Sequence, residues 1–104
     1  MRQGAIWINK EQAGILKETD DGYLFTYNID YLNKEKPLAI ALSLPVQEAP
    51  FQSEYLFPFF DGLIPEGWLL DIAHKNWKLN PRDRMGLLLT TCRDCIGNIS
   101  VIEI

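Results

Sequence analysis

Along the first half of the chain, short apolar, β-rich runs are separated by polar turn segments, the pattern of strands. Residues 5–9 (Ala5-Ile6-Trp7-Ile8-Asn9) and residues 13–18 form two such runs, with Asn9-Lys10-Glu11-Gln12 reading as a turn between them. Gly14 marks the second run for a bulge or a close backbone approach. Thr19-Asp20-Asp21-Gly22 is a hairpin signal, because Asp-Gly supplies the positive-φ position of a tight turn. Residues 23–27 are aromatic and β-branched and predict a third strand. A polar connection follows over 28–37, with Ile29, Tyr31 and Leu32 as its apolar anchors. Residues 38–44 are nearly all apolar, which predicts a strand covered on both faces.

The texture then changes to a helical one. Residues 45–52 hold two prolines and read as a loop, and Ser53 is placed to cap a short helix over 54–62. Pro58 falls in its first turn, and Gly62 and Pro65 end or bend it. A second helix is predicted from Pro65 to Trp77, with Glu66 near its positive end and Leu69, Ile72 and Ala73 on one stripe. Asn80-Pro81 opens a third helix to about Thr91, where Met85, Leu88, Leu89 and Cys92 recur at helical spacing. Residues 92–98 read as a turn and 99–104 as a closing strand. The fold class is therefore α+β: a small antiparallel sheet of about five strands packed with a cluster of about three helices, in one domain spanning 1–104.

Charge and composition narrow the function. Among the 104 residues, 47% are hydrophobic and 23% charged, enough for a packed core without staples. The net charge of −4 disfavours a phosphate tracker. Lys75, Lys78, Arg82 and Arg84 form a basic stretch, but Glu66, Asp71 and Asp83 interrupt it, so no direct nucleic-acid contact is expected. No apolar run reaches the ~20 residues of a membrane span. The N-terminus lacks the apolar core of a signal peptide. A cytoplasmic protein with both cysteines as thiols is the expectation.

The search for catalytic chemistry yields no catalytic residue, no metal site and no cofactor. Phosphate-binding glycine loops and a nucleophile elbow are missing from the sequence. His74, the single histidine, falls inside a predicted helix, where a half-exposed structural role fits better than a general base. Cys92-Arg93-Asp94-Cys95 has C-x-x-C spacing, but it lies at a helix end, where the dipole raises rather than lowers a thiol pKa. Two cysteines and one distant histidine also fall short of a zinc ligand set. Small residues packing a tight turn are the better reading, with a redox protein as the remote one. Glu66 and Asp71 are five apart and do not share a helix face.

One segment stands out: Asp61-Gly62-Leu63-Ile64-Pro65-Glu66-Gly67-Trp68. It sets a tryptophan at the start of a helix, directly after Pro-Glu-Gly. Two orientations stay open for Trp68, packing on the sheet beside Ile72 or pointing outward. An outward Trp is the residue type that most often anchors a protein–protein interface.

Three motifs in order carry a family resemblance: Leu42-Ser43-Leu44-Pro45, then Phe59-Phe60-Asp61-Gly62-Leu63-Ile64-Pro65-Glu66-Gly67, then Arg93-Asp94-Cys95-Ile96-Gly97-Asn98. Together they resemble the N-terminal subdomain of HipA-like Ser/Thr kinases, the toxins of HipA–HipB toxin–antitoxin pairs. The resemblance spans essentially the whole chain. It departs from the family at Cys92 and Asn98, where Gly and Ala are usual. Ser43, Pro45, Phe59, Phe60, Gly62, Arg93, Asp94, Cys95 and Gly97 fall in its structural motifs. The chain ends where the resemblance places the subdomain's last strand, so it is expected to lack a kinase's catalytic Asp, magnesium ligands and ATP site. In this it is similar to HipS-type antitoxins of three-part HipBST systems. The resemblance implies a HipA-like (HipT-type) kinase as partner, with a HipB-like DNA-binding protein as a candidate third member. Ile64, Pro65, Glu66, Gly67 and Trp68 are the expected partner-binding residues, with Trp68 wedged at the kinase active site. The competing expectation is a structural or bridging subunit that completes the kinase fold without blocking catalysis.

Overall fold

The computed structural model of the chain describes residues 1–64, 82–92 and 98–104. The predicted helix over 65–77, the start of the third helix at Asn80-Pro81 and most of the 92–98 turn lie outside the described residues.

The alternating first half folds as expected. β1 (Gln3–Ile8), β2 (Glu11–Thr19) and β3 (Gly22–Tyr27) form an antiparallel meander. Its first turn is tight, with Asn9 at φ 55°, and Gly22 closes the second at φ 146°. The register slips between Ile6 and Trp7: Ile6 faces Gly14 but Trp7 faces Gln12, leaving Ala13 as the extra residue of a bulge beside Gly14. The closing strand β5 (Ile99–Glu103) returns to pair with β1, aligning Ile6 with Val101. The fourth strand is β4 (Phe51–Ser53), paired with β3, so the sheet order is β4-β3-β2-β1-β5.

Two predicted elements are corrected here. Residues 38–44 do not form a strand; they make a looped segment whose one ladder-like contact is an isolated bridge between Ala41 and Leu44. Only every fourth residue turns inward: Ile40 and Leu44 are buried, whereas Leu38 and Leu42 are exposed. Ser53 is likewise not a helix cap but the partner of Tyr23 in the sheet. The helix starts later, as the single turn α2 (Pro58–Asp61), because proline suits the first helical position. The connection after β3 contains a turn not foreseen, α1 (Ile29–Leu32), which buries Tyr31.

One face of the sheet carries Ile6, Leu16, Phe25, Tyr27 and Val101, all buried. On it sits α3 (Arg84–Thr91), whose Met85, Leu87, Leu88 and Leu89 are buried. Leu89 lies so close to Gly4 that a Cβ there would be 2.9 Å from its Cδ2. The cap of α3 is Asp83, whose carboxylate accepts the Gly86 N–H at 3.2 Å.

Asp83 is itself held by Arg2. The Arg2 guanidinium donates to both Asp83 oxygens at 2.8 Å, and through Nε and Nη2 to Glu18 at 3.0 and 2.8 Å. These forked contacts tie the first residues, the end of β2 and the start of α3 together. Hydrogen bonds from Arg2 hold both carboxyls below their ordinary range. A depressed carboxyl contributes stability that is complete above its unfolded pKa, near 4, and lost as pH falls through the lower folded value. Stability should therefore drop below about pH 4. All three groups are partly exposed, so Arg2→Ala is expected to remove only about 1 kcal/mol at neutral pH. It should also flatten the acid limb, as urea unfolding at pH 7 and at pH 3 would register.

Candidate functional site

The aromatic motif around Phe59 and Phe60 sets up the base of the site. Phe60 is fully buried, with ring centroids 5.5 Å from Phe25, 6.1 Å from Phe57 and 5.2 Å from Phe59. Phe59 is half-buried and exposed Gly62 is the C-cap of α2, with an ordinary right-handed φ of −68°. The chain then makes two tightening bonds, Leu63 N–H to Phe60 O at 3.0 Å and Ile64 N–H to Asp61 O at 3.2 Å. Ile64 is 2% exposed. Expected among the contact residues, it is part of the buried core cluster in this chain. Pro65, Glu66, Gly67 and Trp68, the remaining expected contact residues, lie outside the described residues, as do Arg93, Asp94, Cys95 and Gly97. His74 does too.

Beside this exit point is an open depression of about 480 Å³ lined by Tyr23, Glu54, Tyr55, Asp61, Arg82 and Arg84 among others. Arg84 Nε donates to Asp61 Oδ1 at 2.6 Å, linking α3 to the end of α2. The depression holds mixed charge and two tyrosines, a surface suited to polar protein contact rather than to enclosing a small substrate. Burial pushes the Tyr23 hydroxyl up from its ordinary value, so it stays protonated and able to donate. Among the described residues no group of three or more His, Cys, Asp or Glu could hold a metal ion. No helix of the described residues is long and apolar enough to cross a membrane.

Cys92 corrects a further expectation. It is disulfide-bonded rather than a thiol, and its Sγ lies fully buried 3.2 Å from the Leu63 carbonyl oxygen. The chain's other cysteine, Cys95, lies outside the described residues. Cys92 O also accepts the Val101 N–H at 2.7 Å, so this residue joins the exit point, α3 and β5.

The motif around Ser43 and Pro45 lies elsewhere, on the looped segment after α1. Both residues are exposed. The loop is pinned from inside by two tyrosine hydroxyls. Tyr27 Oη donates to Leu44 O and accepts the Ile40 N–H at 3.1 Å, while Tyr31 Oη donates to Leu38 O at 2.6 Å. Burial raises the Tyr27 pKa, which keeps that hydroxyl a donor. Sequence reasoning missed this clamp. Strand alternation points Tyr27 inward but does not say which backbone groups its hydroxyl meets.

Comparison with known proteins places this arrangement. A family model described as the HipA N-terminal domain matches residues 4–102. The chain belongs to the HipA N-terminal domain family. A solved structure, the N-terminal domain of HipA toxin, superposes with a TM-score of 0.75 at 31% identity, covering 100% of this chain and 93% of that one. An uncharacterized protein of Haemophilus influenzae (strain ATCC 51907 / DSM 11121 / KW20 / Rd) is 32% identical over 103 residues, 99% of this chain and 93% of that protein. The similarity thus runs through the HipA N-terminal domain alone, and no kinase catalytic domain is evident in the chain.

Proposed function

We propose that the chain is a HipS-type antitoxin that binds and inhibits a HipA-like Ser/Thr kinase toxin. It would dock where HipA carries its covalent N-terminal domain. The observation that carries this reading is the match of residues 4–102 to that domain. The Haemophilus relative supports it, since the region matched by this chain makes up 93% of that protein. The chain itself would do no catalysis. Its residues would act by position: Phe60 and Ile64 hold the base of the Pro65–Trp68 segment, and Trp68 enters the kinase cleft. Phosphoryl transfer depends on alignment of its parts, so a wedge that stops closure over the phosphates is sufficient for inhibition. A HipB-like DNA-binding protein is the further member proposed for the complex.

The second reading is a structural or bridging subunit that binds the kinase and leaves catalysis running. Trp68→Ala tests the wedge. A buried Trp anchor contributes about 2–4 kcal/mol, so the variant should inhibit the kinase at least roughly 30-fold less well in a phosphorylation titration. Equal inhibition by variant and wild type would move the blocking contact away from Trp68.

A further inference from the structure

Cys92 stands where three parts of the fold meet. Its N–H closes α3 on Leu88 O at 3.0 Å, and its carbonyl accepts the Val101 N–H of β5 at 2.7 Å. Its sulfur, fully buried, reaches the Leu63 carbonyl oxygen at 3.2 Å. That separation suits a thiol donating its proton, since S–H is a weak donor and a carbonyl oxygen an acceptor. Yet Cys92 is disulfide-bonded, and a disulfide sulfur has no proton to give. The Thr91 hydroxyl, 3.8 Å from the sulfur, supplies none either, because it donates to Leu87 O at 2.6 Å. The oxidised protein thus keeps the geometry of a hydrogen bond and lacks its hydrogen.

We propose that Cys92 and Cys95 form a reversible latch on the turn that ends at Ile64: as thiols they fasten it, as a disulfide they release it. A disulfide needs a second sulfur, and Cys95 is the only other cysteine in the sequence. Forming the S–S bond removes one hydrogen from each thiol, as two protons and two electrons in all. A low-molecular-weight disulfide such as oxidised glutathione takes them up and is cleaved to two thiols; a dithiol reductant runs the exchange backwards. Once reduced, Cys92 stays protonated, because it caps α3 at the negative end of the helix dipole and is buried. Its S–H then ties Leu63 to the end of α3. Leu63 N–H to Phe60 O and Ile64 N–H to Asp61 O are bonds of that turn, so their opening reads the latch. The inference stands apart from the kinase reading; together they place the root of the Pro65–Trp68 segment under thiol control.

The test is residue-resolved amide exchange by NMR on the chain equilibrated with oxidised glutathione or with excess dithiothreitol. Alkylation and mass spectrometry count the thiols in each sample. Loss of an S–H···O bond of the usual strength makes the Leu63 and Ile64 amides exchange roughly two- to fivefold faster in the disulfide form. A cross-link stabilises the protein globally, so core amides such as those of Leu16 and Phe25 should exchange at an equal or slower rate, the opposite sign. Cys95→Ser retains the Cys92 thiol and cannot form the bond. It should show the slow exchange at residues 63 and 64 in both buffers, since buried Cys92 is shielded from glutathione when no second cysteine relays the exchange. Equal or slower exchange at residues 63 and 64 in the disulfide form overturns the latch. So does a glutathione-treated protein that still yields both thiols, a bond that resists dithiothreitol in the folded chain, or a disulfide that joins two chains.

Discussion

Phe60→Ala is expected to destabilise the protein by about 3–5 kcal/mol. Phe60 is fully buried at the meeting point of Phe25, Phe57 and Phe59, so truncation opens a cavity at the junction of β3 and α2. In a domain of this size a loss of that order lowers the melting temperature by roughly 15 °C or more. It also removes a large share of the ~5–15 kcal/mol that a small domain has in total. Thermal unfolding followed by circular dichroism measures it. A shift of only a few degrees would mean that the aromatic cluster closes over the gap. The functional consequence is local, because Phe60 also accepts the Leu63 N–H through its carbonyl, at the base of the segment leading to Trp68.

Gly14→Ala should be nearly as damaging. A Cβ at Gly14 would stand 2.4 Å from the Thr26 carbonyl oxygen and 3.0 Å from the Phe25 ring. The near atom is backbone, so relief requires β2 and β3 to separate, next to the bulge at Ala13. The expected cost is about 2–3 kcal/mol, seen as a lowered urea midpoint and faster amide exchange along β2 and β3. Unchanged exchange in both strands would show that the sheet absorbs the methyl group elsewhere.

Much of the sheet was legible because its signals are local. Asp20-Asp21-Gly22 marked the second hairpin, short apolar and β-rich runs marked β1 and β2, alternation marked β3 and β5, and Gly14, flagged for a bulge or close approach, closely approaches Thr26 beside the bulge at Ala13. The stripe of Met85, Leu88, Leu89 and Cys92 was legible for the same reason and is buried throughout. The misreadings share a cause. Residues 38–44 look like a buried strand because they are apolar, yet apolarity does not distinguish a residue facing a core from one facing a partner. Here Ile40 and Leu44 face the core, whereas Leu38 and Leu42 face solvent. Ser53 has the chemistry of a cap, but Tyr23 offered it a ladder position first. Asp83 caps α3 while Arg2, 81 residues away, holds its carboxylate. No short-range pattern encodes that contact.

The site divides along the same line. The family motifs around Phe60 and Leu44 are explained by packing, with Phe60, Ile64 and Leu44 all buried. The exposed members, Ser43 and Pro45, lie beside the solvent-facing Leu42. The proposed contact, Trp68, is of the residue type that most often carries the affinity of an interface.

The most direct test of the account is autophosphorylation of the HipA-like kinase, measured by radiolabel incorporation, with this protein in excess and complex formation verified by sedimentation. The account predicts that phosphate incorporation falls to background as the complex saturates. A kinase that binds the protein fully and still phosphorylates itself at its free rate would contradict it, and would make the chain a structural subunit rather than an antitoxin.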